Sequence, residues 1–234
     1  MVRTLLVLAV LAFAPALAAA AGTVQLTLSG QVHVDGGTPV VLEVDAGGRA
    51  MVWRGTLARE TWATDVAALL ARRLKAEGIG HTLGSDAAPR GPVSLFIEDV
   101  ERVRVRLGDG LAASLTTSDE APRSLRVLPP RLADVSRGGT VEVHVTCSSS
   151  DGERLLRRRL SLDLPDAPIS SSRVADQLAS KASQAGLSSS RPSGDAWAAT
   201  GALTGEAAVA MSVVTYADAD WGIELLLAPR IDRR

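Results

Sequence analysis

Cysteine and aromatic residues are scarce in this chain of 234 residues. Cys147 is the single cysteine, so no disulfide can form within one molecule and the fold must be stable without one. It ends a strand-like stretch, where we interpret it as a small half-buried residue; a reactive thiol is the alternative. Aromatic residues make up 3% of the chain, so valine, leucine and alanine must build the core.

Neither sign of charge is in excess. The chain carries 25 lysine and arginine residues against 26 aspartate and glutamate residues, and its formal net charge is −1 at pH 7. Nucleic-acid binding draws much of its affinity from basic residues that neutralise phosphates. We therefore expect no nucleic-acid partner.

The motifs of the common catalytic and metal sites are missing. His33, His81 and His144 lie far apart in the sequence, and none belongs to a His-x-x-x-His pattern with a nearby acid. The chain has no Gly-x-Ser-x-Gly elbow, and no glycine-rich loop joins a strand to a helix. We expect a non-catalytic protein with no cofactor and no metal.

The first 21 residues have the pattern of a secretory signal peptide. Arg3 supplies a positive start, "LLVLAVLAFAPALA" is apolar, and "ALAAAAG" supplies the small residues of a cleavage site. An uncleaved membrane anchor is the alternative, but the β-prone sequence that follows favours cleavage between Ala18 and Gly22. No later stretch reaches the roughly 20 apolar residues of a membrane span. We expect an exported protein, periplasmic or extracellular, with no transmembrane span after removal of residues 1–21.

Two segments of the chain resemble each other. Residues 64–79 read "TDVAALLARRLKAEGI" and residues 172–187 read "SRVADQLASKASQAGL", which align at a shift of 108 residues. In the first segment Val66, Leu70 and Leu74 recur at helical spacing, and each segment has a glycine at the point where a helix would stop. The sequence therefore predicts an internal repeat with one helix in each half.

Two strand-like runs precede each predicted helix and two follow it. The sequence thus predicts an α+β fold of two tandem β-β-α-β-β units, with largely antiparallel sheets each covered by one helix. The first unit spans 22–118 with an extra N-terminal strand, a connector spans 119–139, the second unit spans 140–229, and a tail spans 230–234.

Arginines recur at every second position in "VERVRVRLGDG", which begins at Val100. Successive side chains of a strand point to opposite faces, so Arg102, Arg104 and Arg106 share one face. They are candidates for contact with an anion or a partner; the alternative is a solvated face whose arginines pair with acids on a neighbouring strand. The matching stretch of the second half, "AVAMSVVTYADAD", has no arginine. Replacing all three with glutamine is therefore expected to leave folding intact.

Trp197 is the fourth candidate contact residue. It lies in a stretch rich in glycine, serine and alanine that looks like a loop. A tryptophan in a loop can serve as a binding anchor. Filling a gap under that loop is the alternative.

The stretch "WRGTLARETWATDVAALLARRLKAEGI" followed by "VSLFIEDVERV" resembles the helix and strand pair of small periplasmic envelope proteins. These include the LPS-assembly lipoprotein and the auxiliary lipoproteins of lipid ABC transporters, which share the strand–strand–helix–strand–strand plan. The resemblance covers about half of the chain at the level of pattern. The lipidated cysteine of those proteins is absent here, and no functional residue is carried over.

The hypothesis favoured by these observations is an exported, non-catalytic structural or interaction protein of the cell envelope. Its partner would be an envelope protein or a lipid or glycan component. A periplasmic binding module for a small apolar or anionic ligand is the first alternative. A hydrolase of an envelope polymer is the second, with acids brought together by the fold.

Overall fold

The computed structural model describes residues 22–33, 35–84, 90–108, 110–117, 122–129, 134–135, 139–148, 155–190, 197–202, 207–215 and 221–227. The predicted signal peptide and C-terminal tail lie outside the described residues.

The described residues of the first half of the chain form one helix and six strands. In order these are β1 (Gly22–Gly30), β2 (Thr38–Ala46), β3 (Arg49–Leu57), α1 (Ala63–Ala76), β4 (His81–Leu83), β5 (Val93–Leu107) and β6 (Leu111–Thr117). In the second half, the part that the structure describes forms one helix and nine strands, two of which are only two residues long. In order these are β7 (Pro122–Leu128), β8 (Asp134–Val135), β9 (Gly139–Ser148), β10 (Leu155–Leu164), β11 (Ile169–Ser170), α2 (Ser171–Gln184), β12 (Leu187–Ser190), β13 (Trp197–Ala202), β14 (Ala207–Thr215) and β15 (Trp221–Leu227).

The two predicted helices are confirmed, and each is 14 residues long. In α1 the predicted stripe of Val66, Leu70 and Leu74 is fully buried. The helix stops at Gly78, whose φ of 66° is the left-handed conformation that glycine adopts readily. The backbone amide of Ile79 then donates to the carbonyl of Leu74 at 2.9 Å. Neither helix in the described part of the chain is long and apolar enough to cross a membrane.

Thirteen of the strands form one hydrogen-bonded antiparallel network that branches at β5. The pairing of this strand is irregular next to Asp99, which has a positive φ of 53°. Its N-terminal part pairs with β1 and β4, and its C-terminal part pairs with β2 and β15. The network therefore has two arms that share β5. Arm I has the order β10-β9-β14-β6-β1-β5-β4, and arm II has the order β3-β2-β5-β15-β7-β13-β12.

The strand order of arm I corresponds to that of arm II, position by position. The hairpin β9–β10 corresponds to β2–β3, β14 to the C-terminal part of β5, and β6 to β15. Likewise β1 corresponds to β7, the N-terminal part of β5 to β13, and β4 to β12. Each arm mixes strands from both halves of the chain, because β6 pairs with β14 and β15 pairs with β5.

The predicted fold class is wrong. The described chain is mostly antiparallel β-sheet with two short helices, and its strands do not form two tandem units that each own a sheet. The physical reason is that a period of two in the sequence shows which face of a strand is buried but not which strand lies beside it. β7 illustrates this: it lies in the range predicted as a connector and pairs with β15 and β13.

One face of arm II contributes a continuous row to the core. The strand register places these residues directly opposite one another on six adjacent strands: Trp53, Leu42, Val105, Ile223, Val127 and Trp197. All except Trp53 are almost completely buried. Because side chains alternate between faces, the residues next to them along each strand lie on the outer face of arm II.

Candidate functional site: an ion-pair ladder on arm II

The arginine row lies on the outer face of arm II. The residues that alternate with it, Val103 and Val105, are fully buried. The predicted sharing of one face by Arg102, Arg104 and Arg106 is therefore confirmed.

Arg104 lies between two carboxylates on the neighbouring strands. Its Nη1 donates to Oε2 of Glu43 on β2 at 3.0 Å, and its Nη2 donates to Oε1 of Glu224 on β15 at 2.9 Å. On the far side of Glu224, Nη1 of Arg126 on β7 donates to Oε2 at 3.1 Å. We call these four residues the ion-pair ladder, because they alternate in charge across the four adjacent strands β2, β5, β15 and β7.

Glu224 is the buried centre of the ladder. Its side chain is 2% exposed, and each carboxylate oxygen accepts a hydrogen bond from an arginine. A third arginine, Arg102, places Nη1 3.9 Å from Oε1. Burying a carboxylate is costly unless it is paired and hydrogen-bonded, so Glu224 depends on these arginines.

The other two arginines of the row also have partners in the chain. Nε of Arg102 donates to Oδ2 of Asp45 at 2.8 Å, and both side chains are about one-third exposed. Nη1 of Arg106 donates to the backbone carbonyl of Pro129 at 2.8 Å. For Arg102 and Arg104 the arrangement matches the alternative stated for this row, in which acids of a neighbouring strand pair with the arginines. An anionic ligand would have to displace these contacts.

The acids of the ladder were not identified from the sequence, although they left a signal. Glu224 is a single acid inside the apolar stretch "WGIELLLA", and Glu43 occupies a similar place in "PVVLEVDAGG". A lone acid in a strand that is otherwise apolar needs a cationic partner. Three arginines at the same period of two were the obvious candidates, but no local pattern showed that β2 and β15 flank β5.

Trp197 lies away from this surface. It is the first residue of β13, it is fully buried, and it ends the core row of arm II. Filling space therefore fits its position better than anchoring a ligand. Cys147 is also fully buried, in β9.

A small apolar cavity lies beside the same core row. Residues of β5, β6 and β15 line it, including Val105, Leu111 and Trp221, and its volume is about 10 Å³. That volume is close to the minimum for a single water molecule. Pockets for small organic ligands are commonly some 300–1,000 Å³.

A second charged cluster lies on arm I. Glu142 on β9 accepts hydrogen bonds from Arg159 on β10 and from Nε2 of His144, the latter at 3.2 Å. The Arg159 hydrogen bond, followed by that from His144, holds the pKa of the Glu142 carboxyl below its ordinary value. The Glu142 side chain is 17% exposed and that of Glu224 is 2% exposed, so Glu142 keeps more contact with solvent.

Within the described ranges, no three histidine, cysteine, aspartate or glutamate side chains are placed to hold a metal ion. No protein-family model, no curated protein and no solved structure matches this chain. The resemblance to periplasmic lipoproteins stays a prediction.

Proposed function

We propose that the protein is an exported, non-catalytic structural or interaction protein of the cell envelope, periplasmic or extracellular. The observation that carries this proposal is the internal neutralisation of the arginine row by Glu43, Asp45 and Glu224. The row gives arm II a polar surface on which Arg102 and Arg104 are already paired with carboxylates. Such a surface suits contact with a protein better than capture of a small molecule, which favours a concave pocket.

Export is supported by the N-terminal pattern, in which Arg3 precedes an apolar run and small residues. The internal repeat is also part of this proposal. Its support is the shift of 108 residues between Ala63, where α1 begins, and Ser171, where α2 begins, together with the matching order of the strands in the two arms.

The ligand-binding alternative has less support. The cavity beside Val105 and Trp221 is about the size of a water molecule, which is too small for an apolar ligand. An anionic ligand would compete with carboxylates already placed 2.8 to 3.0 Å from Arg102 and Arg104. The hydrolase alternative has no specific observation in its favour, because Glu43 and Glu224 both bind Arg104.

In-cell photo-cross-linking would test the proposal. A photo-reactive residue replaces Arg102 on the outer face of arm II, and in a second variant replaces Thr116 on the outer face of arm I. The expected result is cleavage of the signal peptide and a discrete product with one envelope protein from at least one of the faces. Retention in the cytoplasm, or a chain that forms no product from either face, would contradict the proposal. A diffuse cross-linked product that contains lipid or glycan would show that the partner is a molecule of that class and not a protein.

A further inference from the structure

β3 is an open edge of arm II, because among the described strands it pairs only with β2. The β2–β3 hairpin turns through Gly47 and Gly48, whose φ values of 55° and 72° are those of a two-residue turn of type I′. In such a hairpin the two residues flanking the turn exchange hydrogen bonds, and the bonded pairs then alternate along the strands. The backbone groups of Ala50, Val52 and Arg54 consequently point away from β2.

These outward backbone groups form a template on which another strand can pair. Their side chains lie on the outer face, where Val52 is 56% exposed. An exposed valine at the middle of an unpaired edge is the feature that soluble sheet proteins ordinarily avoid by placing charges there.

The corresponding edge of arm I has a charged residue at the position that matches Val52. Arg159 of β10 lies opposite His144 of β9, and Val52 of β3 lies opposite Glu43 of β2. Because the β9–β10 hairpin corresponds to the β2–β3 hairpin, Arg159 and Val52 occupy matching positions. Arg157 and Arg159 both have exposed side chains along β10. At this position β10 therefore has an arginine and β3 a valine, while β10 also exposes Leu155 and β3 also exposes Arg54.

We propose that two copies of this chain associate by antiparallel pairing of β3 with β3, which joins the two arms II into one sheet across a two-fold axis at Val52. In this register Val52 faces Val52 of the second copy, and Trp53 faces Met51. Arg54 faces Ala50, so no like charges meet across the interface. The proposal does not depend on the proposed function in the envelope.

Charge complementarity favours a second copy as the occupant of this edge. Arg54 is 65% exposed, and the acid beside it, Glu43, is only a distant contact at 3.9 Å. The methyl group of Ala50 in the second copy leaves space for the Arg54 guanidinium to pass over it. The next residue in that row is Asp45, which is one-third exposed and uses one oxygen, Oδ2, for Arg102. Because of the two-fold symmetry, the dimer contains the Arg54–Asp45 ion pair twice.

Sedimentation equilibrium over a range of protein concentrations would measure the association of the natural protein and its variants. We expect a dimer that Arg54→Glu weakens at least tenfold, since the substitution removes the Arg54–Asp45 ion pair and places a negative charge in the row that contains Asp45 of the second copy. The matched control is Arg159→Glu on β10, which is expected to leave association unchanged. A protein that is monomeric at all concentrations, or a dimer that Arg54→Glu does not weaken, would overturn the proposal.

A cysteine variant tests the register separately. Residues in a bonded antiparallel pair have Cα atoms about 5.5 Å apart, within the range of a disulfide. Oxidised Val52→Cys is therefore expected to run as a covalent dimer on a non-reducing gel, whereas Arg159→Cys is not. The natural cysteine, Cys147, is buried and should not interfere. Equal cross-linking of the two variants would reject pairing through β3 even if the protein is dimeric.

Discussion

The outer faces of the two arms have the same strand order and different chemistry. On arm II, Glu224 of β15 lies between Arg104 and Arg126. On arm I, the corresponding strand is β6, where Ser114 lies between Ser212 and Thr27. Two arms with the same strand order thus have an ion-pair ladder in one case and serine and threonine at the matching positions in the other.

This difference shows that the ladder is not a requirement of the sheet. On strands β1 and β5, arm I has neutral polar side chains: Oγ1 of Thr27 and Oγ of Ser94 are 3.1 Å apart, and Nε2 of Gln25 donates to Oγ of Ser94 at 2.8 Å. Neutral hydroxyl groups tolerate partial burial without a charged partner, whereas Glu224 does not. Arm II should therefore be much more sensitive than arm I to the loss of one polar side chain.

Glu224→Ala is expected to give the largest effect. Removing one partner of a buried ion pair leaves the others uncompensated, at a cost of about 3–5 kcal/mol in the free energy of unfolding. Urea denaturation of Glu224→Ala and of the matched variant Ser114→Ala measures the contrast. We expect Ser114→Ala to lose less than about 1 kcal/mol. Similar losses for both variants would mean that the ladder does not set arm II apart.

Arg104→Gln is expected to have the next largest effect on the free energy of unfolding. This differs from the expectation drawn from the sequence, that the three arginines can be replaced without loss of folding. Arg104 pairs with both Glu43 and the buried Glu224, so its loss should cost about 2 kcal/mol, reduced from the buried-pair range by its partial exposure. Arg102→Gln, the matched control in the same strand, breaks a more exposed pair and should cost about 0.5 kcal/mol. Replacing the whole row with glutamine would then weaken folding through Arg104.

Thermal unfolding at low and high salt separates these two arginine variants. Salt screens exposed pairs more than buried ones, so the small effect of Arg102→Gln should shrink further while that of Arg104→Gln persists. An Arg104→Gln protein as stable as the natural one would restore the original expectation that the row is dispensable for folding.

The sequence predicted local features well and long-range neighbours poorly. The stripe of Val66, Leu70 and Leu74 was enough to find α1, because a helix is specified by residues three and four apart. The period of two at Arg102 and Arg104 was enough to identify their common face. Their acidic partners, however, lie on strands that are distant in the sequence: Arg104 and Glu224 are 120 residues apart. The mixing of strands from the two halves likewise depends on which distant strands pair. No local pattern encodes that choice.

The smallest predicted effect is on the arm I cluster, where the carboxyl of Glu142 pairs with side chains that are largely exposed. The hydrogen bond from Arg159 is the main reason that the pKa of the Glu142 carboxyl lies below its ordinary value, and the bond from His144 is the second. Arg159→Gln should therefore raise this pKa toward the ordinary value, and His144→Gln should raise it less. Carbon-detected NMR titration of the side-chain carboxyl measures both shifts.

The lowered pKa of Glu142 also predicts the direction in which stability changes with pH. A carboxyl whose pKa is lower in the folded than in the unfolded state stabilises the fold above its unfolded pKa, and this contribution disappears as pH falls through the folded pKa. The difference in stability between the natural protein and Arg159→Gln should accordingly be present at neutral pH and vanish in acid. Because the Arg159 side chain is exposed, this difference in stability should be far smaller than the loss expected for Glu224→Ala. If the pKa of Glu142 did not change in Arg159→Gln, Arg159 would not be pairing with this carboxyl. The comparison of a paired charge on arm I with the paired buried charge on arm II would then fail.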